Sequence, residues 1–535
     1  MIDAPLKDRH RLKVRLARHS GKLRFENVRE SAPDTGRTPW QPGYSPMFQS
    51  PLTLVLGWHP PGRHFRLMTA LYAFAGACHL WLADAWVPEW FWGNILFLLG
   101  ICALPFMPST PAWTLCALGK ALPLLLGRDH LNQSLLLMLI ALAAALTCLT
   151  GGLRASRQTT HELEPGDRDP NPPDSPALVE AFWLYLRGLT VAVYALSAFH
   201  KLNRDFLSPP ISCGSYGVDK LLNYYQLSPA ALPGVETLRT LAPFLVLGAE
   251  FGVALLYLGG RRKGALLLAL AFHIPLTLTM APAFAFVMLI GHSAFLTRQD
   301  LHAFRKSARR HRRVLLMATT ALCAISLVAH GQLPALSLIP REALLWGLLI
   351  WVGLTPLPPR PCWRRRPKTP ALTSRAPRLL ATLALMLFVA HALTPYLGLR
   401  FQHTAAMVSN LRIDDGCWNH LLIPESWRMR EDYIRINRTY FRHPGFLTEY
   451  EDKVLDQLWN TTQVRQMRRN WCREELHPFY LEGTFRSEPF VIEDLCAEEL
   501  SWPFEAAGVF GPEIFKDHLR FQRNLPRTCP ATCIH

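Results

Sequence analysis

The chain has 535 residues, half of them hydrophobic and only 18% charged, which excludes a disordered chain and a single small soluble core and points to an integral membrane protein. Its formal net charge of +17 is unevenly placed. From Leu399 onward there are 17 Lys and Arg against 20 Asp and Glu, so the whole excess lies in residues 1–398. It falls there in short segments beside apolar runs, the pattern that sets membrane orientation, and no nucleic-acid partner is expected.

Residues 1–60 open with "MIDAPLKDRHRLKVRLARHSGKLR", a basic, polar segment with no cleavable signal pattern, and read as a cytoplasmic tail. Apolar runs then begin near Leu67, Trp90, Ala112, Ser134, Val179, Leu238, Ala265, Ala283, Val314, Ala343 and Leu379. A spanning helix needs about 20 residues, and the runs at Ala112 and Ala283 are short. The expected fold class is therefore an all-α polytopic membrane protein of about 9–11 transmembrane helices, with a small extramembrane C-terminal domain. The transmembrane domain covers 61–398 and is divided by a polar, Pro- and Asp-rich cytoplasmic loop over 151–178.

With eleven spans and the N-terminus inside, five basic segments fall on the cytoplasmic side: the N-terminal tail, 154–157, 261–263, 305–313 and 360–378. The region 399–535 is then extracytoplasmic. It carries Cys417, Cys472, Cys496, Cys529 and Cys533, for which one or two disulfides and one remaining thiol are expected in an oxidising setting. The ending "CPATC" lacks the partners of a zinc site, and no metal is expected. Asn437 and Asn460 head glycosylation sequons.

Charged groups at membrane depth cost several kcal/mol and need a partner or a role. Glu250 stands twelve residues before Arg262 and His273 eleven after it, so both lie about 17 Å from that turn. A further turn near Pro282 brings His292 to the same level. The three form either a polar relay, with Glu250 orienting a proton-handling histidine, or helix–helix hydrogen-bond partners. Lys201, in "ALSAFHKLNRDFLSP", lies near the outer end of the fifth run. It reads as an interfacial anchor that snorkels with Arg204 and pairs with Asp205, or as a neutral amine serving as general base at the rim of a low-dielectric pocket.

The segment "AFHKLNRDFL" resembles the Gly-x-Lys-Lys-Leu-Asp-Ala-Asp-Trp segment of vitamin K-dependent gamma-carboxylase, and is similar to the bacterial HTTM (horizontally transferred transmembrane) family related to it. The stretches "GAEFGVALLYLGGRRKGALLLALAFHIPLTL" and "MVSNLRIDDGCWNHLLIP" resemble the same family, and the resemblance spans roughly 60–440. It implies a polytopic domain followed by an outward domain, with Lys201 as the base that takes a proton from reduced vitamin K, a menaquinol-type cofactor. Supporting positions are His200, in place of a second lysine, Asp205, Glu250, His273 and His292. The family's Asn-His pair stands here as Asn132-Gln133, with His130 three residues early, and the outer domain is shorter than the carboxylase's. The resemblance thus implies a carboxylase-like lyase acting on a quinol or protein glutamate among membrane lipids, and the Arg- and Pro-rich style without retention motifs fits a bacterial inner membrane. The alternative is a non-enzymatic transporter or scaffold in which Glu250, His273 and His292 relay protons or pack.

Overall fold

The computed structural model describes residues 63–82, 90–125, 131–161, 177–330, 339–358, 375–441, 454–472, 479–497 and 525–533, apart from scattered positions within these ranges. The tail expected over 1–60 lies outside them, as does residue 130. Among the described residues there are thirteen α-helices: α1 (Arg63–Leu82), α2 (Phe91–Ala103), α3 (Thr110–Leu125), α4 (Asn132–His161), α5 (Ala177–His200), α6 (Cys213–Tyr224), α7 (Val235–Leu258), α8 (Arg262–Thr279), α9 (Phe284–Ser293), α10 (Arg298–Arg310), α11 (Arg312–His330), α12 (Ile339–Leu354) and α13 (Arg375–Ala392). Each of the eleven apolar runs begins in a helix or at its first flanking residue. The loop expected over 151–178 is corrected, because α4 continues to His161 and α5 begins at Ala177.

Among the described residues, three helical stretches are long and apolar enough to cross a membrane: Asn132–Leu149, Leu178–His200 and Val235–Leu258. The run at Trp90 yields a helix of 13 residues and that at Ala283 one of 10, about 20 and 15 Å long, short of a core about 30 Å thick. Pro105 and Pro108 follow the first and Pro282 precedes the second, which limits both. Helix α9 is enclosed by its neighbours, with nine of its residues buried. Gly291 permits this, since a Cβ there would collide with the Thr190 hydroxyl of α5.

Two helices arise where no apolar run exists. Helix α6 starts at Ser212, whose Oγ accepts from the Gly214 N–H at 3.0 Å. Helix α10 starts in a capping box, in which Thr297 Oγ1 accepts from the Asp300 N–H at 3.3 Å and Asp300 Oδ2 accepts from the Thr297 N–H at 2.7 Å. Asp300 also pairs with the buried Arg262 at the start of α8, so one carboxylate caps α10 and fastens it beneath the α7–α8 turn. Arg305, Lys306, Arg309 and Arg310 of α10 are exposed, as is Arg261 at that turn, making this end of the bundle strongly basic.

At the other end the chain leaves α13 and builds a small antiparallel sheet from β1 (Ile434–Phe441), β2 (Gln457–Trp459), β3 (Phe479–Phe485), β4 (Glu488–Ile492) and β5 (Leu525–Pro526), in the order β4-β3-β1-β2-β5. The molecule is thus mostly helical with a small sheet, and the all-α expectation does not extend to the C-terminal region. Along β3, "FYLEGTF" buries alternate positions, which pack with Ile434, Ile436 and Phe490.

Among the described residues, three disulfides join Cys417 to Cys529, Cys472 to Cys496 and Cys213 to Cys533. The leftover thiol expected in the tail is therefore engaged by Cys213, at the start of α6. Both cysteines of "CPATC" are oxidised, and among the described residues no group of His, Cys, Asp or Glu is placed to hold a metal. Asn437 is exposed on β1, but the Asn460 side chain is buried and takes the Gln463 N–H at 2.9 Å, which closes it to glycosylation in the folded state.

Candidate functional site

Helix α5 carries polar side chains at Arg187, Thr190, Tyr194 and Ser197, and the same spacing continues to Lys201 one residue past its end. Alternating steps of three and four keep these positions on one face. That face is turned inward: Thr190, Tyr194, Ser197 and Lys201 are buried and Arg187 donates to the Ala294 carbonyl at 2.8 Å.

Lys201 is 3% exposed. Its Nζ donates to Ser197 Oγ at 2.8 Å, Glu250 Oε1 at 3.0 Å and the Met407 carbonyl at 3.1 Å. Ser197 in turn donates to Glu250 Oε1 at 2.8 Å, so amine, hydroxyl and carboxylate close a triangle. The other carboxylate oxygen, Glu250 Oε2, is buried with no hydrogen-bond partner. This lysine does not reach out to a membrane surface, and its ion-pair partner is Glu250 rather than Asp205.

Asp205 is turned instead toward the C-terminal region. Burial raises its pKa, opposed by a hydrogen bond from Asn419 and the nearby Arg412 guanidinium. Arg412 is itself buried, bidentate to Asp414 at 2.7 Å and bonded to the Pro526 carbonyl at 2.8 Å. His200 faces away from Lys201: its Nδ1 meets the Tyr396 hydroxyl at 2.8 Å and its Nε2 the Thr404 carbonyl at 3.0 Å. A carbonyl only accepts, so Nε2 carries the hydrogen and Nδ1 accepts from Tyr396. His420 braces the same junction. Its Nδ1 accepts from the Leu422 and Ile423 N–H groups and its Nε2 donates to the Phe199 carbonyl at 3.1 Å; burial lowers its pKa.

Segment 403–410 lies over the lysine. His403, Ala405, Val408 and Asn410 all have φ between 51° and 63°, a left-handed conformation that costs roughly 1–2 kcal/mol for a residue with a Cβ. Hydrogen bonds hold it there: Asn132 Oδ1 accepts from the Ala405 N–H at 3.2 Å, Asn203 Nδ2 donates to the Ser409 carbonyl at 2.6 Å, and Asn410 Oδ1 accepts from the Cys213 N–H at 2.6 Å. Gln133 is buried beside Asn132 in α4. Strain retained by so many fixed bonds is typical of functional sites.

His273 and His292 meet through a residue not singled out by sequence reasoning. The Tyr194 hydroxyl lies 2.6 Å from His273 Nε2 and 3.1 Å from His292 Nε2, and the Tyr257 hydroxyl lies 2.7 Å from His292 Nδ1. His273 Nδ1 has no hydrogen-bond partner. Glu250 does not hydrogen-bond to either imidazole: it points to Ser197 and Lys201 while the histidines converge on Tyr194, since equal depth does not fix azimuth. Tyr194 and Tyr257 could have been found from spacing alone, seven residues from Lys201 and from Glu250 on the same helix faces. No protein-family model, curated protein or solved structure matches this chain.

Proposed function

We propose that the chain is a polytopic membrane enzyme of the HTTM type, oriented with its basic end in the cytoplasm of a bacterial inner membrane and its sheet outside, and that Lys201 is a general base in a carboxylase-like reaction on a quinol. The observation that carries this reading is the burial of Lys201 Nζ against Glu250 Oε1 and Ser197 Oγ, beneath a strained segment. In a low-dielectric site a neutral amine–acid pair competes with the ion pair, because desolvation offsets the attraction between the charges. Transfer of one proton from Nζ to Oε1 across 3.0 Å leaves an amine ready to accept another. Glu250 Oε2, buried and unpartnered, is an acceptor suited to a phenolic hydroxyl. A reduced vitamin K would supply such an acidic hydroxyl when bound; Lys201 would take its proton at Nζ while Glu250, already protonated at Oε1, stays neutral beside it.

The test compares Lys201→Ala and Lys201→Arg with the wild type in nanodiscs. Loss of quinol-dependent glutamate carboxylation by about 100-fold or more in both is the expected outcome, since a positioned base contributes on that scale; Lys201→Ala, which strands Glu250, also melts lower, whereas Lys201→Arg keeps a cation beside the carboxylate. Undiminished activity in Lys201→Ala rejects the base. A second reading, a proton-coupled transporter, is favoured by the hydrogen-bonded Tyr194, His273, His292 and Tyr257; it is distinguished by solute flux that Glu250→Gln removes and quinol does not affect.

A further inference from the structure

From the geometry we infer that Tyr257, His292, Tyr194 and His273 form a proton wire connecting the Lys201–Glu250 pair with the basic end of the bundle. This rests on Lys201 as a proton-accepting group, because a base that turns over must pass each proton on.

The first support is the valence of the chain. The Tyr194 hydroxyl has one hydrogen and two imidazole neighbours, at 2.6 Å and 3.1 Å. It donates to one Nε2, so the other must donate to it. In one arrangement Tyr257 donates to His292 Nδ1, His292 Nε2–H to Tyr194, and Tyr194 to His273 Nε2, leaving an N–H at His273 Nδ1. In the reverse arrangement His273 Nε2–H donates to Tyr194, Tyr194 to His292 Nε2, and His292 Nδ1–H to Tyr257, leaving a lone pair at His273 Nδ1. A proton entering at His273 Nδ1 and one leaving from the Tyr257 hydroxyl convert between these two states; every group gives up one hydrogen and gains another, and no charge is left behind.

The second support is placement. His273 Nδ1 and Glu250 Oε2 are each buried and without a hydrogen-bond partner. Ser197, which holds Glu250, and Tyr194, which holds His273, are one turn apart on α5, about 5 Å along the axis. At the far end Tyr257 lies one residue from the end of α7, its ring stacked on Phe295 with centroids 3.7 Å apart, next to the turn where Arg261 is exposed and α10 begins. The four groups thus lead from the interior of the site to the end opposite the sheet.

The experiment adsorbs proteoliposomes of the full chain to a solid-supported membrane and applies a pH jump on the α10 side. Protonation of the buried pair through the wire moves charge partway across the bilayer, giving a transient current in the wild type. Tyr194→Phe and, separately, Tyr257→Phe remove one hydroxyl each and are expected to slow that transient by tenfold or more in protein that remains folded at the assay temperature; Tyr185→Phe, on the same helix and outside the wire, leaves it unaltered. A wild type with no transient, or one that Tyr194→Phe does not slow, overturns the inference. A transient that depends on Tyr194 in a protein whose Lys201→Ala variant retains full quinol turnover upholds the wire and rejects Lys201 as the base; turnover that requires Lys201 with a transient indifferent to Tyr194 does the reverse.

Discussion

At the residue scale, the Lys201–Glu250 pair is held by geometry that makes each partner expensive to leave alone. Both side chains are almost wholly buried, and removing one member of such a pair typically costs about 3–5 kcal/mol, because the survivor is an uncompensated charge. Glu250→Leu is therefore expected to lower the melting temperature in detergent markedly. Adding Lys201→Met to it should recover most of the loss, since an apolar replacement of a whole buried pair is often neutral or stabilising by about 1–4 kcal/mol. Equal melting of the single and double variants would show that the pair contributes nothing as a unit. Lys201, Glu250, His273 and His292 were legible in the sequence because ionisable groups in apolar runs are conspicuous. Their partners were not. Depth follows from counting residues, but rotation of each helix about its axis decides whether Glu250 meets a histidine or Lys201, and that rotation is set by close approaches such as Gly291 against Thr190.

At the element scale, the site depends on a segment with no regular structure. Left-handed φ at Ala405 and Val408 is unfavourable for any residue with a side chain and most for a β-branched one. Val408→Gly is expected to leave stability unchanged or raise it by up to about 1–2 kcal/mol of relieved strain, read as an unchanged or higher melting temperature, while reducing any activity that depends on Lys201. A large drop in stability on that substitution would mean that the valine side chain supports the segment more than its backbone burdens it. Helix α10 was hidden for a different reason: "TRQDLHAFRKSARR" reads as a basic loop by composition, and only the Thr297–Asp300 capping box marks its start. Helix α9 was visible as apolar, but being enclosed by protein rather than lipid it needs no spanning length.

At the scale of the whole molecule, the two ends differ in chemistry. One presents the basic residues of α10; the other gathers the end of α5, the strained segment, the sheet and the Cys213–Cys533 link. Cysteines counted only within the tail leave one thiol over, and the missing partner stands 320 residues earlier, a separation that no local spacing rule can recover. Cys213→Ser and Cys533→Ser should each expose one new thiol to an impermeant maleimide added on the side of the sheet, and the double variant none; labelling from the basic side instead would contradict the placement of the two ends. The same link has a consequence for biogenesis. At about 10 residues per second, roughly half a minute of synthesis separates the emergence of Cys213 from that of Cys533, and through that interval Cys213 is a thiol without its native partner while other cysteines of the tail emerge. Correct pairing then requires that Cys417, Cys472 and Cys496 be kept from capturing it, so this protein should depend on a disulfide isomerase more than its modest number of cystines would suggest.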